Sequence, residues 1–305
     1  MLNRRLALGL ALATTALATT LAPALAQDWK AKYPELVFAT IPDENASGTN
    51  DRYTPLVNYL ARELGVKVTL RVANDYAAVI EGQKAGQIHI AKYGPASYAR
   101  ATMTGAKTQP FAMEVNLDGA KGYYSVFYVK KDSPYQKIED LKGKNLGLVD
   151  PNSTSGNNVP RFALNKMNIT PESFFGKVVY TGSHENAVIA LQQGQVDIAA
   201  NWWNDEQESN LLRMDRKGMA KADDFRILFK SEQIVNSPYA YLSDMPEDLK
   251  GAIRTAMFAF EKKDPDGFKK LTDGKQQNFA PATHKDYEPI VELNKFVDNL
   301  RKKGS

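Results

Sequence analysis

The stretch from "LVFATI" (36–41) to "IHIAKYG" (88–94) alternates short β-branched or aromatic runs with amphipathic runs. Between them lie "RYTPLVNYLARELG" (52–65), "VKVTLRV" (66–72) and "YAAVIEGQKAG" (76–86). In the first of these three runs the apolar residues recur at helical spacing, and Gly65 follows as a helix-ending residue. The predicted strands are apolar throughout, as in sheets that helices cover on both faces. The stretch therefore predicts βαβ units and an α/β protein.

A second series of the same kind follows a long aromatic strand, "GYYSVFYVKKDS" (122–133), and runs from "KNLGLVD" (144–150) to "VDIAANW" (196–202). The strand-like run "FRILFKSE" (225–232) and the turn after it are expected to carry the chain back to the first series. We predict two α/β lobes joined by two crossings. The first lobe comprises residues 27–121 plus about 240–305, and the second comprises residues 122–239.

The first 26 residues have the three parts of an export signal. "MLNRR" (1–5) is basic, an apolar run follows, and "ALA" (24–26) offers a small-residue site, so we expect a signal peptide (1–26) cleaved after Ala26. A membrane anchor is the alternative, but Pro23 interrupts a run that falls short of the roughly 20 residues of a membrane span. Arg4 and Arg5 match a twin-arginine signal poorly, which favours the general export route without deciding it. We expect a periplasmic protein.

The composition excludes several kinds of site. The chain has no cysteine, so disulfides, thiolate metal sites, a cysteine nucleophile and a lipid anchor on cysteine are not expected. Its three histidines, His89, His184 and His284, form no paired metal-ligand motif, and we expect neither a metal nor a cofactor. Removing Arg4 and Arg5 from the 39 basic residues leaves 37 against 35 acidic ones. This near-neutral balance argues against nucleic acid as a partner.

Three hydroxyls and a glycine follow the strand "NLGLV" (145–149) in "DPNSTSG" (150–156), and a helix is predicted next. The free NH groups at a helix start, together with Ser153, Thr154 and Ser155, favour an anion. The loop has no lysine, so it suits a small oxyanion held by neutral donors better than a nucleotide. The alternative is that one serine only caps the helix.

Similar turns from strand to helix occur in "TGSHENAVIAL" (181–191), "ANDYAAVIEG" (73–82) and "KYGPASYARA" (92–101). They place His184, Tyr76 and Tyr93 at strand ends, where ligands bind in doubly wound sheets. Each has a structural alternative: capping or packing for the histidine, and half-buried core for the tyrosines.

Trp202 and Trp203 are adjacent just past a strand end in "AANWWNDEQE" (199–208). Neighbouring side chains in extended structure point to opposite faces, so one ring can pack in the core while the other walls a pocket. The alternative is that both rings are structural.

Six segments together carry a family resemblance: "YTPLVNYL", "DYAAVIEG", "GYYSVFYVKKDS", "VDPNSTSGNNVPRFAL", "GSHENAVIAL" and "QVDIAANW". The chain resembles, over nearly its whole length after the signal, the periplasmic phosphonate and phosphite binding proteins of ABC importers. The resemblance implies a two-lobed periplasmic binding protein fold of type II that closes on its ligand in the interlobe cleft. It also implies a monomer that delivers the ligand to an ABC permease in the inner membrane. Carried over residue by residue, the family's contacts with the oxyanion head group of the ligand would be made here by Tyr76, Tyr123, Ser153, Thr154, Ser155 and His184.

Two positions leave the family pattern. Family members that bind aminoalkylphosphonates resemble one another in a Glu just beyond the "VDxA" strand and an Asp before a later Pro, and here Asn204 and Ser237 occupy those positions. Neither side chain neutralises an ammonium, although Asp205 or a tryptophan face offers an alternative. A phosphonate ranks first, with phosphite or a small alkylphosphonate next. The candidate tail residues are Tyr93, Trp202, Trp203, Asn204, Asp205 and Ser237.

Two other functions stay open as alternatives. A secreted phosphate-ester hydrolase would use Ser153 with His184 as its base, but no "GxSxG" pattern and no acidic partner for the histidine accompany them. A binding protein for another oxyanion, such as a sulfonate, would share the same loop chemistry. We predict a binding protein and not an enzyme.

Overall fold

A computed structural model describes residues 29–304, with side chains described to residue 302. The predicted signal peptide (1–26) lies outside the described residues. Within that described range, no helix is long and apolar enough to cross a membrane.

The described chain alternates strands and helices. Its strands are β1 (Glu35–Thr40), β2 (Lys67–Val72), β3 (Ile90–Lys92), β4 (Thr108–Asn116), β5 (Gly122–Lys130), β6 (Asn145–Leu148), β7 (Lys177–Tyr180), β8 (Ile198–Asp205), β9 (Glu208–Ser209), β10 (Phe225–Lys230), β11 (Ile234–Val235), β12 (Pro238–Leu242) and β13 (Gln276–Pro281). Its α-helices are α1 (Trp29–Lys32), α2 (Ala46–Leu64), α3 (Tyr76–Lys84), α4 (Pro95–Met103), α5 (Val159–Lys166), α6 (Pro171–Phe174), α7 (His184–Gln192), α8 (Asn210–Arg216), α9 (Glu247–Lys263), α10 (Pro265–Thr272) and α11 (Glu288–Gly304). A π-helical turn, Thr154–Asn158, directly precedes α5.

The first sheet has six strands in the order β13-β4-β12-β3-β1-β2. β1 pairs in parallel with β2 and β3, whereas β12 runs antiparallel to β3 and β4. β13 adds an antiparallel edge on β4. The part of the chain built on this sheet is called the first lobe.

The second sheet has the order β10-β5-β8-β6-β7, with β11 on β5 and β9 on β8. β6 pairs in parallel with β7 and β8, and β5 runs antiparallel to β8 and β10. The part of the chain built on this sheet is called the second lobe.

The two sheets share one topology. In each, three parallel strands are followed by the strand that has just crossed from the other lobe, which is β12 in the first sheet and β5 in the second. The crossings lie at residues 117–121 and 236–237. The predicted return at about residue 240 falls inside β12, which begins at Pro238. Two mixed sheets flanked by helices confirm the predicted α/β fold with two lobes.

Helix α2 shows how local sequence sets an element. Asn45 caps its start by accepting a hydrogen bond from the Gly48 amide (3.0 Å), and Gly65 ends it in the left-handed region (φ 64°). Between these signals, Leu56 and Leu60 are fully buried in the core of the first lobe together with Phe38 of β1. The apolar face of α2 thus fixes the helix on the sheet that carries the site.

The C-terminal helix α11 contacts both lobes. On the first lobe, the Asn294 amide donates to the Ala96 carbonyl (2.9 Å), and Asp298 pairs with Arg100 (2.6 Å). On the second lobe, the Asn158 amide donates to Asn294 Oδ1 (2.8 Å). The assignment of the chain from about residue 240 to the first lobe stays a prediction, and α11 itself contacts both lobes. Helices α9 and α10 pack on α2, but the sides of α11 meet different lobes.

Candidate functional site

A polar cavity of about 80 Å³ lies between the lobes, beyond the carboxyl ends of β1, β6 and β7. Such a cavity holds roughly six water-sized groups. All six predicted head-group residues line it: Tyr76, Tyr123, Ser153, Thr154, Ser155 and His184. Their contact with a ligand stays a prediction.

The π-helical turn presents the three hydroxyl residues, all of which are buried. Ser153 caps the turn, since its Oγ accepts a hydrogen bond from the Gly156 amide (3.1 Å). Gly156 is needed here because a Cβ at this position would lie 2.4 Å from Cβ of Val149, the residue that directly follows β6. Ser153 therefore combines the capping role with a place in the cavity wall.

Thr154 joins the two lobes. Its Oγ1 accepts a hydrogen bond from the Ala96 amide (2.8 Å) in the first turn of α4. Because the hydroxyl oxygen is used as an acceptor, its hydrogen stays available for an oxyanion in the cavity. Thr154 thus contacts the first lobe while lining a site on the second.

His184, the first residue of α7, is held as a neutral imidazole. Its Nδ1 lies 3.1 Å from Asn201 Oδ1, and the Asn201 amide donates to the His184 carbonyl (3.0 Å). This arrangement assigns the ring proton to Nδ1 and leaves Nε2 as an acceptor, 3.5 Å from Ser153 Oγ. Burial lowers the pKa of His184 to about 4, against the opposing influence of Asp43 and Asn201.

Tyr76 and Tyr123 are buried phenols. Burial raises the pKa of Tyr76 well above its ordinary value, and it raises the pKa of Tyr123 to about 12 although the hydroxyls of Thr154 and Ser155 oppose the shift. Both phenols therefore keep their protons at neutral pH, which makes them donors for an anion.

Four charged residues that the sequence analysis missed also line the cavity: Asp43, Lys92, Glu114 and Arg213. Lys92 Nζ lies 3.1 Å from Asp43 Oδ2. Arg213 pairs with Glu208 (2.8 Å) and with Asp273 (3.1 Å). The neutral residues missed in the lining are Ile41, Gly94, Asn236 and Gln276.

Two of the missed charges were detectable in the sequence. Lys92 ends the apolar strand β3, and Glu114 stands between Met113 and Val115, which are buried in β4. A charged residue in an apolar strand is costly to bury unless it is paired or faces a polar cavity. Arg213 on the polar helix α8 gave no such signal.

Strand β8 separates the four predicted tail residues by its alternation. Trp202 and Asn204 line the cavity. Trp203 lies outside the lining and packs against Tyr124, with ring centroids 5.6 Å apart. Asp205 also lies outside it, where its carboxylate accepts hydrogen bonds from two backbone amides of the β8–β9 turn. The placement follows from the period of two in a strand.

Of the remaining two tail candidates, one lines the cavity and the other does not. Ser237 lines the cavity, in the crossing before β12. Tyr93 does not, because its ring is fully buried and its hydroxyl donates to Gln83 Oε1 (2.9 Å) on α3. A cation–π contact between a ligand and Trp202 is also opposed, since the Arg213 guanidinium already lies 4.9 Å from that ring.

Beside the cavity, an ion-pair cluster joins the lobes; we call it the interlobe cluster. Lys217 of the second lobe contacts Glu44 of the first (2.5 Å) and Glu185 of its own lobe (3.2 Å). Glu185 accepts a hydrogen bond from the Asn45 amide at the start of α2 (2.8 Å). Burial opposes the shift, yet Arg52 and other cations lower the pKa of Glu44 to about 2. The carboxylate therefore stays charged at neutral pH.

This architecture defines a class of protein. Two lobes of matched topology, joined by two crossings and enclosing a small polar cavity, make up a periplasmic solute-binding protein of type II. The chain belongs to the family described as ABC transporter, phosphonate, periplasmic substrate-binding protein, whose profile matches residues 38–287. The resemblance noted in the sequence is confirmed.

Individual proteins similar to this chain have names that match this family. The phosphonates-binding periplasmic protein of Escherichia coli (strain K12) is 34% identical over 241 residues, covering 78% of this chain and 68% of the relative. A phosphate-import protein of Mycolicibacterium smegmatis is 29% identical, with 89% of each chain covered. A solved binding component of an ABC phosphonate transporter from Pseudomonas aeruginosa has a TM-score of 0.79 at 27% identity, with 89% of each chain covered.

Proposed function

We propose that this protein binds a small phosphonate-type phosphorus oxyanion between its lobes and delivers it to an ABC permease for uptake. The observation that carries the proposal is the set of neutral donors around one cavity, formed by the five hydroxyl-bearing head-group residues beside the neutral imidazole of His184. Neutral donors bind an oxyanion through hydrogen bonds that are weaker than those of a direct ion pair. The family and its named relatives support the same ligand class.

Binding and closure are coupled in this proposal. Tyr76 belongs to the first lobe, whereas Ser153 and Ser155 belong to the second. An anion between them favours the closed form because it contacts both sides only there. The permease then meets a closed, loaded protein.

The protonation of His184 favours phosphorus over sulfur in the head group. A bare Nε2 in the cavity wall repels a fully ionised oxygen but accepts a hydrogen bond from a protonated one. A phosphonate can carry that proton near neutral pH, as phosphate monoesters do with a second pKa of about 6. A sulfonate has no such proton to offer.

The same histidine argues for binding without catalysis. Its Nε2 is 3.5 Å from Ser153 Oγ, but its Nδ1 faces the amide of Asn201 and not a carboxylate. A serine nucleophile needs a base that a third group orients and keeps basic. With its pKa lowered to about 4, His184 is a weak base.

The proposal extends to location and assembly. The mature protein begins at Gln27, acts in the periplasm without a lipid anchor and works as a monomer that meets its permease transiently. The basic start, apolar run and "ALA" site of residues 1–26 support the location.

Calorimetry with phosphonates, phosphite, phosphate and sulfonates tests the proposed ligand. We expect one bound ligand per chain and the highest affinity for a phosphonate. Preference for phosphite or phosphate would keep the phosphorus oxyanion but change the ligand. Sulfonates bound more tightly than every phosphorus oxyanion would refute the proposal.

Thr154→Ala tests the head-group site. The change removes a donor to the anion and the contact with the Ala96 amide. We expect every phosphorus ligand to bind more weakly by a similar amount, about 1 to 3 kcal/mol, as for a hydrogen bond to a charged group. Thr154→Ser, which keeps the hydroxyl, is the matched control and should retain most of the affinity. Unchanged binding by Thr154→Ala would exclude this role.

A further inference from the structure

The charges in the cavity wall do not balance. Of its two cations, Lys92 is paired with Asp43 (3.1 Å), and Arg213 is paired with carboxylates outside the cavity. Glu114 has no basic group within 4.0 Å among the described side chains. It is the one carboxylate of this wall whose charge no ion pair compensates in the described chain.

Glu114 is nevertheless held in a fixed position. Its Oε1 accepts a hydrogen bond from the Tyr239 hydroxyl (2.6 Å), and its Oε2 accepts one from the Gln276 amide (2.9 Å). Both donors are neutral, so they orient the carboxylate without cancelling its charge. The residue lies near the C-terminal end of β4, on the sheet of the first lobe.

Lys92 does not remove this imbalance. Burial alone lowers the pKa of Lys92, but Tyr53 and the carboxylates of Asp43 and Glu114 raise it above its ordinary value. One cation thus faces two carboxylates, and the three side chains together carry one negative charge. An anionic head group entering the same cavity adds further negative charge, which is unfavourable unless the ligand also brings a cation.

We infer that Glu114 is a specificity-determining residue that receives a cationic group on the ligand's tail. The ligand is then a zwitterion, a phosphorus oxyanion with an ammonium on a short chain. Asn204 and Ser237, which also line the cavity, are neutral and cannot balance an ammonium, so the unpaired carboxylate of Glu114 remains as its partner. This inference rests on the proposed function and names the tail that the site selects.

The size of the cavity limits that tail. Beyond an oxyanion head group, roughly six water-sized positions leave space for two or three further heavy atoms. An aminoethyl tail fits this limit, whereas a long or branched tail does not. The pair 2-aminoethylphosphonate and ethylphosphonate therefore isolates the ammonium at nearly constant size.

Calorimetry of these two ligands on the full chain and on Glu114→Gln tests the inference. The unmodified protein should bind 2-aminoethylphosphonate at least tenfold more tightly than ethylphosphonate. Glu114→Gln should lose most of that preference and bind ethylphosphonate equally well or better, because a negative charge near the anion is gone. Asp205→Asn, a carboxylate removed outside the cavity, is the matched control and should keep the preference.

The outcomes separate the inference from the proposed function. Equal affinity of the unmodified protein for the two phosphonates overturns the inference and leaves the proposed function standing. A tenfold preference for 2-aminoethylphosphonate that survives in Glu114→Gln has the same two consequences, since another group then recognises the ammonium. If the unmodified protein binds phosphite or phosphate but neither phosphonate, the inference fails and the phosphorus oxyanion site stands. If it binds no phosphorus oxyanion at all, both fail. The comparison on unmodified protein holds even where Glu114→Gln does not fold.

Discussion

His184 links ligand binding to pH. Its Nε2 carries no proton near neutral pH, because Nδ1 holds the ring proton and burial lowers the pKa to about 4. A phosphonate dianion can contact this nitrogen only if one proton enters, either on the ligand or on the ring. At pH 8 the protein–ligand complex then holds one proton more than the free protein and the free ligand together.

Ligand binding should therefore depend on pH. Affinity should fall as pH rises above the second pKa of the ligand, by up to tenfold per pH unit, because the required proton becomes scarcer. Calorimetry at pH 8 in two buffers of different ionisation enthalpy should show uptake of about one proton per ligand. His184→Gln should show much less uptake. Affinity that rises with pH would contradict this role.

The sequence predicted the head-group residues of the cavity but not its four charged residues. The six head-group residues all line one cavity; five of them lie where a helical turn begins, and Tyr123, the second residue of β5, came from the family resemblance. The sequence marks Glu114 as a charge in an apolar strand, but no local pattern shows that it shares a cavity with Arg213 of the other lobe. Convergence of this kind depends on distant pairings.

At the scale of elements, β8 shows what alternation adds. Trp202 and Asn204 share the cavity face, while Trp203 packs on the other face with Tyr124 and with Lys230, whose ammonium lies 4.5 Å from the ring. The sequence predicted that the two tryptophans separate, but it left open which one faces the ligand. The pairing of β5 with β8 decides the matter, because it fixes which face of the strand meets the cleft.

The two tryptophans therefore predict opposite phenotypes. Trp202→Ala should change the relative affinities of ligands that differ in their tails, because the ring forms part of the cavity wall. Trp203→Ala should keep the ranking and lower the free energy of unfolding by about 3 kcal/mol, as expected for truncating a buried aromatic residue. Calorimetry and denaturant unfolding measure the two effects. An equal shift of all ligands in Trp202→Ala would show that this residue does not contact the tail.

At the scale of the whole molecule, the interlobe cluster contributes to closure without touching the cavity. Lys217 joins Glu44 of one lobe to Glu185 of the other, and both carboxylates are almost fully buried. The Lys217–Glu44 and Asn45–Glu185 contacts exist only when the lobes are together, so they favour the closed form whatever ligand is present. Lys217 is about one-third exposed, which leaves the contact open to screening by salt.

Lys217→Met should weaken every ligand alike, by about fivefold, which corresponds to about 1 kcal/mol for a partly exposed ion pair. Small-angle X-ray scattering should show a larger radius of gyration for the ligand-free variant. High salt should reduce the affinity of the unmodified protein towards that of the variant. Lys221→Met, which changes an exposed lysine of the same lobe, is the control and should alter neither quantity. A changed ranking among ligands would argue against a role limited to closure.

Local patterns in the sequence predict the α/β class, the two lobes and the hydroxyl-rich turn with its neighbouring donors. These features depend on periodicity, capping and residue chemistry within about ten positions along the chain. Such local signals can be recognised in the sequence without knowledge of the three-dimensional structure. Gly65 at the end of α2 and Ser153 at the start of the π-helical turn are examples.

Three features depend on the three-dimensional fold: the face of β8 that meets the cleft, the contact of α11 with both lobes, and the cavity that Glu114 shares with the head-group donors. The deciding contacts join residues far apart in the chain, such as Thr154 with Ala96 over 58 positions and Lys217 with Glu44 over 173. Their geometry comes from strand pairing and lobe closure, which no local pattern records.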